Sequence, residues 1–220
     1  MSNKTEAYTI GFVGIDCYDI IHYLARILCK LQKKVLLVDQ STKEALTYSV
    51  PIPKDMDLSN IITYRQVDFT RAYRKDMLEE YDYIFMNFGD NKFCPEIEEC
   101  EDLYIVTDQQ GHNAAALSTY FEKPRKQSIT AIIRNVVKSK IKPEFITKLM
   151  EMNPDESPYY VLDADPIDQQ LMLSCQYDQV FRFKKLSPNF KKMLYEILIN
   201  KLKFDTKEVK QAFKKAEKGK

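Results

Sequence analysis

The densest chemistry in the sequence lies in nine residues, Gly11 to Asp19, which read GFVGIDCYD. They join an apolar run at 8–14 to an amphipathic segment at 19–32. A helix N-terminus offers unpaired N–H groups and a partial positive charge, so a strand–turn–helix junction of this kind suits an anion. A phosphate loop also needs clustered glycines, a lysine for the β- and γ-phosphates and a Ser or Thr hydroxyl for magnesium. Here no lysine falls in the stretch, and Gly11 and Gly14 stand apart. Asp16 and Asp19 put negative charge where an anion would sit. Either can cap the helix with its own carboxylate, at on the order of 0.5–1 kcal/mol each. The stretch therefore reads as a capped helix that supplies its own anion.

Other reactive side chains are weaker candidates. Cys17 at a helix start has the position of an activated thiol, but Asp16 and Asp19 oppose a lowered pKa. Neither His22 nor His112 is identifiable as its base, and His22 is expected on a helix surface. Cys29 and Cys175 sit in apolar or helical contexts and read as packed thiols. Cys94 and Cys100 in CPEIEEC lack the short spacing of metal ligands, so no metal site is expected. Residues 88–102 hold a run of carboxylates, Asp90, Glu96, Glu98, Glu99, Glu101 and Asp102, with Asp108 just beyond. They read as a solvated surface or as a docking surface for a basic partner.

The elements that would position these groups follow from the hydrophobic pattern. Strands are expected at 8–14, 33–40, 81–89, 102–108, 128–137 and 159–165. Helices are expected at 19–32, 70–80, 111–122, 143–151, 166–175 and 188–203. Continuous apolar strands alternating with helices imply βαβ units and a sheet covered on both faces. The fold class is α/β, a three-layer α/β/α domain over residues 1–204. The 220 residues carry 33 basic and 32 acidic side chains, which argues against a nucleic-acid binder with a global positive field. No apolar run approaches a membrane span of about 20 residues, and five scattered cysteines suit a reducing cytoplasm.

The last residues, 205–220, are lysine-rich. They read as a solvated, partly frayed tail, or as a basic amphipathic segment with a thin stripe of Val209, Phe213 and Ala216 for weak peripheral membrane contact.

Over roughly residues 8–203 the order of elements resembles the ParA/MinD family of deviant-Walker ATPases, of the P-loop NTPase fold. In that family the first strand runs into G-K-G-G-x-G-K-T-T, and a second strand carries VLLIDxD. KLQKKVLLVD at 30–39 is similar to the second motif, YDYIFMNFG at 81–89 occupies the place of YDxIIIDTPPG, and AIIRNVV at 131–137 that of GVVLNRV. The resemblance implies a nucleotide site made by Gly11, Gly14, Asp16, Cys17, Tyr18, Asp39, Asn87, Asn135 and Pro166. Asn135 would face adenine, and Pro166 would lie near the base-stacking turn.

The motif that carries the family's chemistry is altered. Cys17 stands at the lysine position, Tyr18 at the magnesium hydroxyl and Asp16 at the last loop glycine. Phe12 replaces the additional lysine, Ser41 the second aspartate after Asp39, and Asn87 the Walker B aspartate. Together these replacements remove charge neutralisation, metal and water activation. The expectation is a catalytically inactive pseudo-ATPase, homodimeric or paired with an active ATPase. Within the family it resembles the TadZ/CpaE-like localisation proteins of pilus and secretion systems. No bound cofactor is expected. A sensor that binds ATP or ADP without hydrolysis, and an enzyme of unrelated chemistry on the same fold, remain as alternatives.

Overall fold

The computed structural model describes residues 6–122 and 125–219. In chain order the strands are β1 Tyr8–Gly14, β2 Val35–Asp39, β3 Ile62–Tyr64, β4 Val67–Thr70, β5 Tyr83–Gly89, β6 Asp102–Thr107, β7 Ser128–Val136 and β8 Tyr159–Asp163. The helices are α1 Tyr18–Lys30, α2 Gly111–Ala115, α3 Pro143–Leu149, α4 Pro166–Tyr177, α5 Pro188–Glu196 and α6 Thr206–Glu217. They build one eight-stranded sheet in the order β3-β4-β2-β5-β1-β6-β7-β8. Every pairing is parallel except β3 with β4. This is the expected α/β/α architecture.

Side-chain alternation divides the apolar residues between two cores. Ile10, Phe12, Leu37, Phe85, Tyr104 and Val106 face α1, α4, α5 and α6. Val13, Leu36, Val38, Met86, Leu103 and Ile105 face the other way, onto α2, α3 and short 3-10 turns. The first layer is thick. Helix α1 is buried along nearly its whole length, because α4, α5 and α6 cover the side away from the sheet.

Three expectations change. The segment 70–80 is not a helix. Val67 and Phe69 are buried while Asp68 lies between them half-buried, a period of two that makes β4 pair with β2. Only a 3-10 turn, Lys75–Glu79, follows it. The helix expected at 111–122 stops at Ala115 and continues as a 3-10 turn at Ser118–Tyr120.

The third change concerns the tail. Residues 206–217 form a regular helix, α6, capped by Asp205, whose carboxylate accepts from the N–H groups of Lys207 at 2.8 Å and Glu208 at 3.2 Å. Val209, Ala212 and Ala216 are buried against α1, and Phe213 lies edge-on to Tyr195 at 5.9 Å. The apolar stripe is thus occupied by the core, and the lysines face solvent. Among the described residues no helix is long and apolar enough to cross a membrane.

Val209→Asp should cost about 3 kcal/mol or more, because it buries an unpaired charge. Lys210→Asp, on the exposed face, should stay within about 0.5 kcal/mol. Urea unfolding of the two variants checks the docking of α6, and equal stabilities would contradict it.

Candidate functional site

The Gly11–Asp19 stretch leaves the carboxyl end of β1 at the middle of the sheet, where parallel α/β sheets place their ligands. Its two glycines have different causes. A Cβ on Gly11 would meet the Leu103 and Phe88 side chains at 2.7 and 2.9 Å. Gly11 is therefore a packing residue within the strand. Gly14 is the turn residue: its φ is +114°, and a Cβ there would meet the Val106 carbonyl oxygen at 2.0 Å. The next amide, Ile15 N–H, donates to that carbonyl at 3.0 Å, tying the loop to β6.

The helix is not capped as expected. Cys17 occupies the N-cap position and makes no side-chain cap bond. Asp16 is exposed, and Asp19 is buried but turned to another task. Arg134, on β7, sends a guanidinium under the loop, where Nη1 and Nη2 each donate to one oxygen of Asp19 at 2.9 Å. Nη1 also donates to the Asp16 carbonyl at 2.8 Å. Both side chains are fully enclosed, at 4% and 1% exposure. Burial alone would push Arg134 down, but Asp19 outweighs it and holds the guanidinium above its ordinary range. A two-pronged pair of this kind is the strongest geometry available to an arginine.

A cation thus does lie under the loop, but it comes from β7 and is neutralised from within. The sequence carried a signal for it. AIIRNVV sets an arginine in an apolar strand run, and a charge buried there needs a partner.

Asp39, at the end of β2, is likewise occupied. One oxygen accepts from Ser41 N–H at 3.2 Å, Ser41 Oγ at 2.6 Å and Asn87 Nδ2 at 3.0 Å. The other accepts from Thr47 N–H and Thr47 Oγ1, both at 2.8 Å. Five donors fill the capacity of one carboxylate, which is about four lone-pair sites. Asn87 suits this place because an aspartate there would bring two carboxylates within hydrogen-bond distance. Ser41, in the second-aspartate position, is one of the donors.

Of the other expected site residues, Tyr18 is buried in the α1 core, and burial pushes its phenol well up. Cys17 is buried, and burial and then Asp19 push its thiol far above its ordinary value, the reverse of an activated nucleophile. Asn135 has a left-handed φ of 57° beside a register shift between β7 and β8. An asparagine tolerates that conformation. Pro166 is the first residue of α4, behind the Asp165 cap. The structure brings the loop, Asp39 and Asn87 together at the carboxyl edge, and places Asn135 and Pro166 at the ends of β7 and β8.

His22 is a correction. It is buried, not on the helix surface, with Nε2 at 2.6 Å from Ser49 Oγ. Burial and then Arg26 hold its pKa well below the usual value. Cys29, Cys94, Cys100 and Cys175 are buried free thiols. Much of the acidic run is used inside the chain. Glu101 accepts from Thr9 N–H at 2.6 Å, and Asp102 from Tyr8 Oη at 3.0 Å. Glu98 pairs with Arg125 at 2.6 Å and Glu99 with Lys75 at 2.8 Å. Among the described residues no group of three or more His, Cys, Asp or Glu side chains is placed to hold a metal.

Over the loop lies an open cavity of about 320 Å³. Gly14, Asp16, Lys43, Gly89, Asp90 and Lys92 line it. Its two carboxylates offset its two lysines. Lys92 is also engaged with the Ala116 carbonyl, and Asp90 with Thr42 Oγ1 at 2.6 Å.

Among solved structures, similar chains include an ATP complex of a McdA variant from Cyanothece, at a TM-score of 0.66 and 13% identity over 96% of this chain and 97% of that one. MinD in the Aquifex aeolicus MinC:MinD complex matches at 0.60 and 12% identity, over 97% of both chains. A ParA family ATPase from Chlorobium tepidum matches at 0.57 and 18%, over 88% and 98%. The fold is that of the ParA and MinD ATPases. No protein-family model matches the sequence, and no curated protein matches it. The likeness to ParA, MinD and McdA thus lies in the backbone, and the loop chemistry has to be read from this chain's own residues.

The buried pair predicts a non-additive response. Asp19→Ala or Arg134→Ala alone should cost about 3–5 kcal/mol, since each leaves the other charge buried and unpaired. Asp19→Leu combined with Arg134→Met should recover most of that loss. Denaturant unfolding of the three variants measures it, and additive losses would contradict a buried, coupled pair.

Proposed function

We propose that the chain acts as a pseudo-ATPase, a ParA/MinD-type fold that works by binding a protein partner and not by hydrolysing ATP. The observation that carries this reading is the saturation of Asp39. A carboxylate holding five internal donors has no free lone pair with which to orient a water or a metal ion. The loop supports it from the other side. Transferring a phosphoryl group needs positive charge on the leaving oxygens, and the cation beneath this loop is already neutralised by Asp19. Cys17 and Tyr18, in the lysine and hydroxyl positions, point into the core.

The same edge of the sheet favours protein contact. Tyr48 after β2, Phe93 after β5, Val137 after β7, and Leu173 and Tyr177 on α4 are all large apolar side chains more than half exposed. Tyr48 and Tyr177 line one cavity with Asp16 and Lys43, and exposed apolar residues that cluster in this way mark protein–protein surfaces. MinD, a structural neighbour, is solved in complex with MinC. The role is that of a scaffold or localisation factor in the cytoplasm, of the TadZ/CpaE kind that serves pilus or secretion machinery. It acts as a homodimer or beside an active ATPase. With no nucleotide to close over, packing of the apolar edge holds the assembly.

Calorimetric titration of the full chain with ATP and ADP, with and without magnesium, should show no saturable heat. Phosphate release should match the buffer blank. Binding tighter than about 100 μM, roughly −5.5 kcal/mol, would favour a nucleotide sensor, and magnesium-dependent release of phosphate would restore the enzyme.

A further inference from the structure

The most conspicuous unpaired charge lies away from the loop. Arg26, on α1, is 7% exposed. Its Nη1 donates weakly to the Arg65 carbonyl at 3.4 Å. Its Nε and Nη2 are buried and have no acceptor among the described residues. Those two nitrogens form the edge of the guanidinium that grips a carboxylate or phosphate with two parallel bonds. The neighbouring charge that acts on it most is a second cation, Arg65, and burial together with Arg65 pushes Arg26 down to about 10. The Phe181 ring lies against the guanidinium at 3.8 Å and the Tyr64 ring at 5.5 Å. Aromatic faces give such a cation partial compensation. A buried charge without a counter-ion is otherwise among the costliest features a core can hold.

A cavity of about 410 Å³ opens beside it, between α1, the β3–β4 turn and the end of α6. Lys30, Arg65 and Gln66 line its polar side, and Phe181 and Phe183 its apolar side. No carboxylate lines it among the described residues. The turn is pinned to α1 by Lys30 Nζ donating to Gln66 Oε1 and by Cys29 Sγ donating to the Gln66 carbonyl, both at 3.1 Å. Three cations, one of them buried with its gripping edge unfilled, converge on a half-apolar pocket of ligand size.

We propose that this cavity binds a small organic anion with a flat apolar body. Its carboxylate or phosphate head is held among Arg26, Arg65 and Lys30, and its body lies against Phe181 and Phe183. The Arg26 edge is covered in the unliganded chain, so the β3–β4 turn gives way to admit the head. That turn is the element placed to move. Arg65 and Gln66 are exposed and hold left-handed φ values of 50° and 70°, which cost non-glycine residues on the order of 1 kcal/mol each. The site is separate from the loop at β1 and does not depend on whether nucleotide binds there.

The test is thermal unfolding of the full chain with phenyl phosphate, benzoate and inorganic phosphate, against chloride at matched ionic strength. One of the two aryl anions should raise Tm saturably, by roughly 5–10 °C at about 100-fold excess over its Kd. Which one does so tells a phosphate head from a carboxylate. Inorganic phosphate, lacking the body, should bind at least threefold more weakly than that aryl anion.

Arg65→Ala, on the exposed turn, should weaken binding by about tenfold while leaving the unliganded Tm nearly unchanged. Arg26→Met should abolish the response with the unliganded Tm held or raised, because it removes an unpaired buried charge. If Arg26→Met does not fold, Lys30→Ala with Arg65→Ala carries the same comparison. No saturable rise with either aryl anion, or a rise retained in the variants, would overturn the proposal.

Discussion

A guanidinium enclosed in a protein is costly unless it is paired, and the pairing of Arg134 with Asp19 organises the first loop of this chain. Arg134 reaches from β7 beneath the turn and takes both oxygens of Asp19 and the carbonyl of Asp16. One side chain thereby joins β7, the loop and the first turn of α1, and its Nη2 also lies 3.4 Å from Met172 Sδ on α4. Removing either partner leaves a charge in the core, so the loop has one arrangement that satisfies it. Everything above the pair, from Gly14 against Val106 to the burial of Cys17 and Tyr18, is built on that fixed base.

The second carboxylate of the region is settled by the same logic with neutral donors. Asp39 is buried, and a buried carboxylate has to be satisfied by its surroundings. Ser41, Thr47 and Asn87 do this. Ser41 and Asn87, which stand where the ParA/MinD pattern has aspartates, are two of these donors. The substitutions at the loop and at the strand ends are therefore mutually consistent. They leave both carboxylates paired within the chain.

The fold was legible because it rests on long-range regularities. Continuous apolar strands such as VLLVD at 35–39 and the helical stripe of α1 announce a covered parallel sheet, and the chain obeys. What escaped were features set by tertiary contact. The β3–β4 hairpin is short, and its turn has Arg65 and Gln66 where an Asn-Gly pair would signal it. The thin stripe of Val209, Phe213 and Ala216 suggested a helix, but not that α1 lies close enough for Val209, Ala212 and Ala216 to dock on the core. His22 looked like a surface residue because the first helix was expected to have a wet side, and the thick layer of α4 to α6 removed it. At the site, the two aspartates of the loop were legible, but the helix cap expected of them is absent, and Asp19 instead pairs with a buried cation. That cation is Arg134, a residue 115 positions from Asp19, and no local pattern reports that distance.

The interior of the first loop is already filled by the Asp19–Arg134 pair. Hydrogen exchange of the amides from Gly14 to Asp19, followed with and without a saturating non-hydrolysable ATP analogue and magnesium, tests this most directly. A loop closed on its own ion pair should exchange at the same rates in both conditions. Slowing of those amides by the nucleotide would mean that phosphate enters where Asp19 and Arg134 are held to exclude it, and would contradict the account.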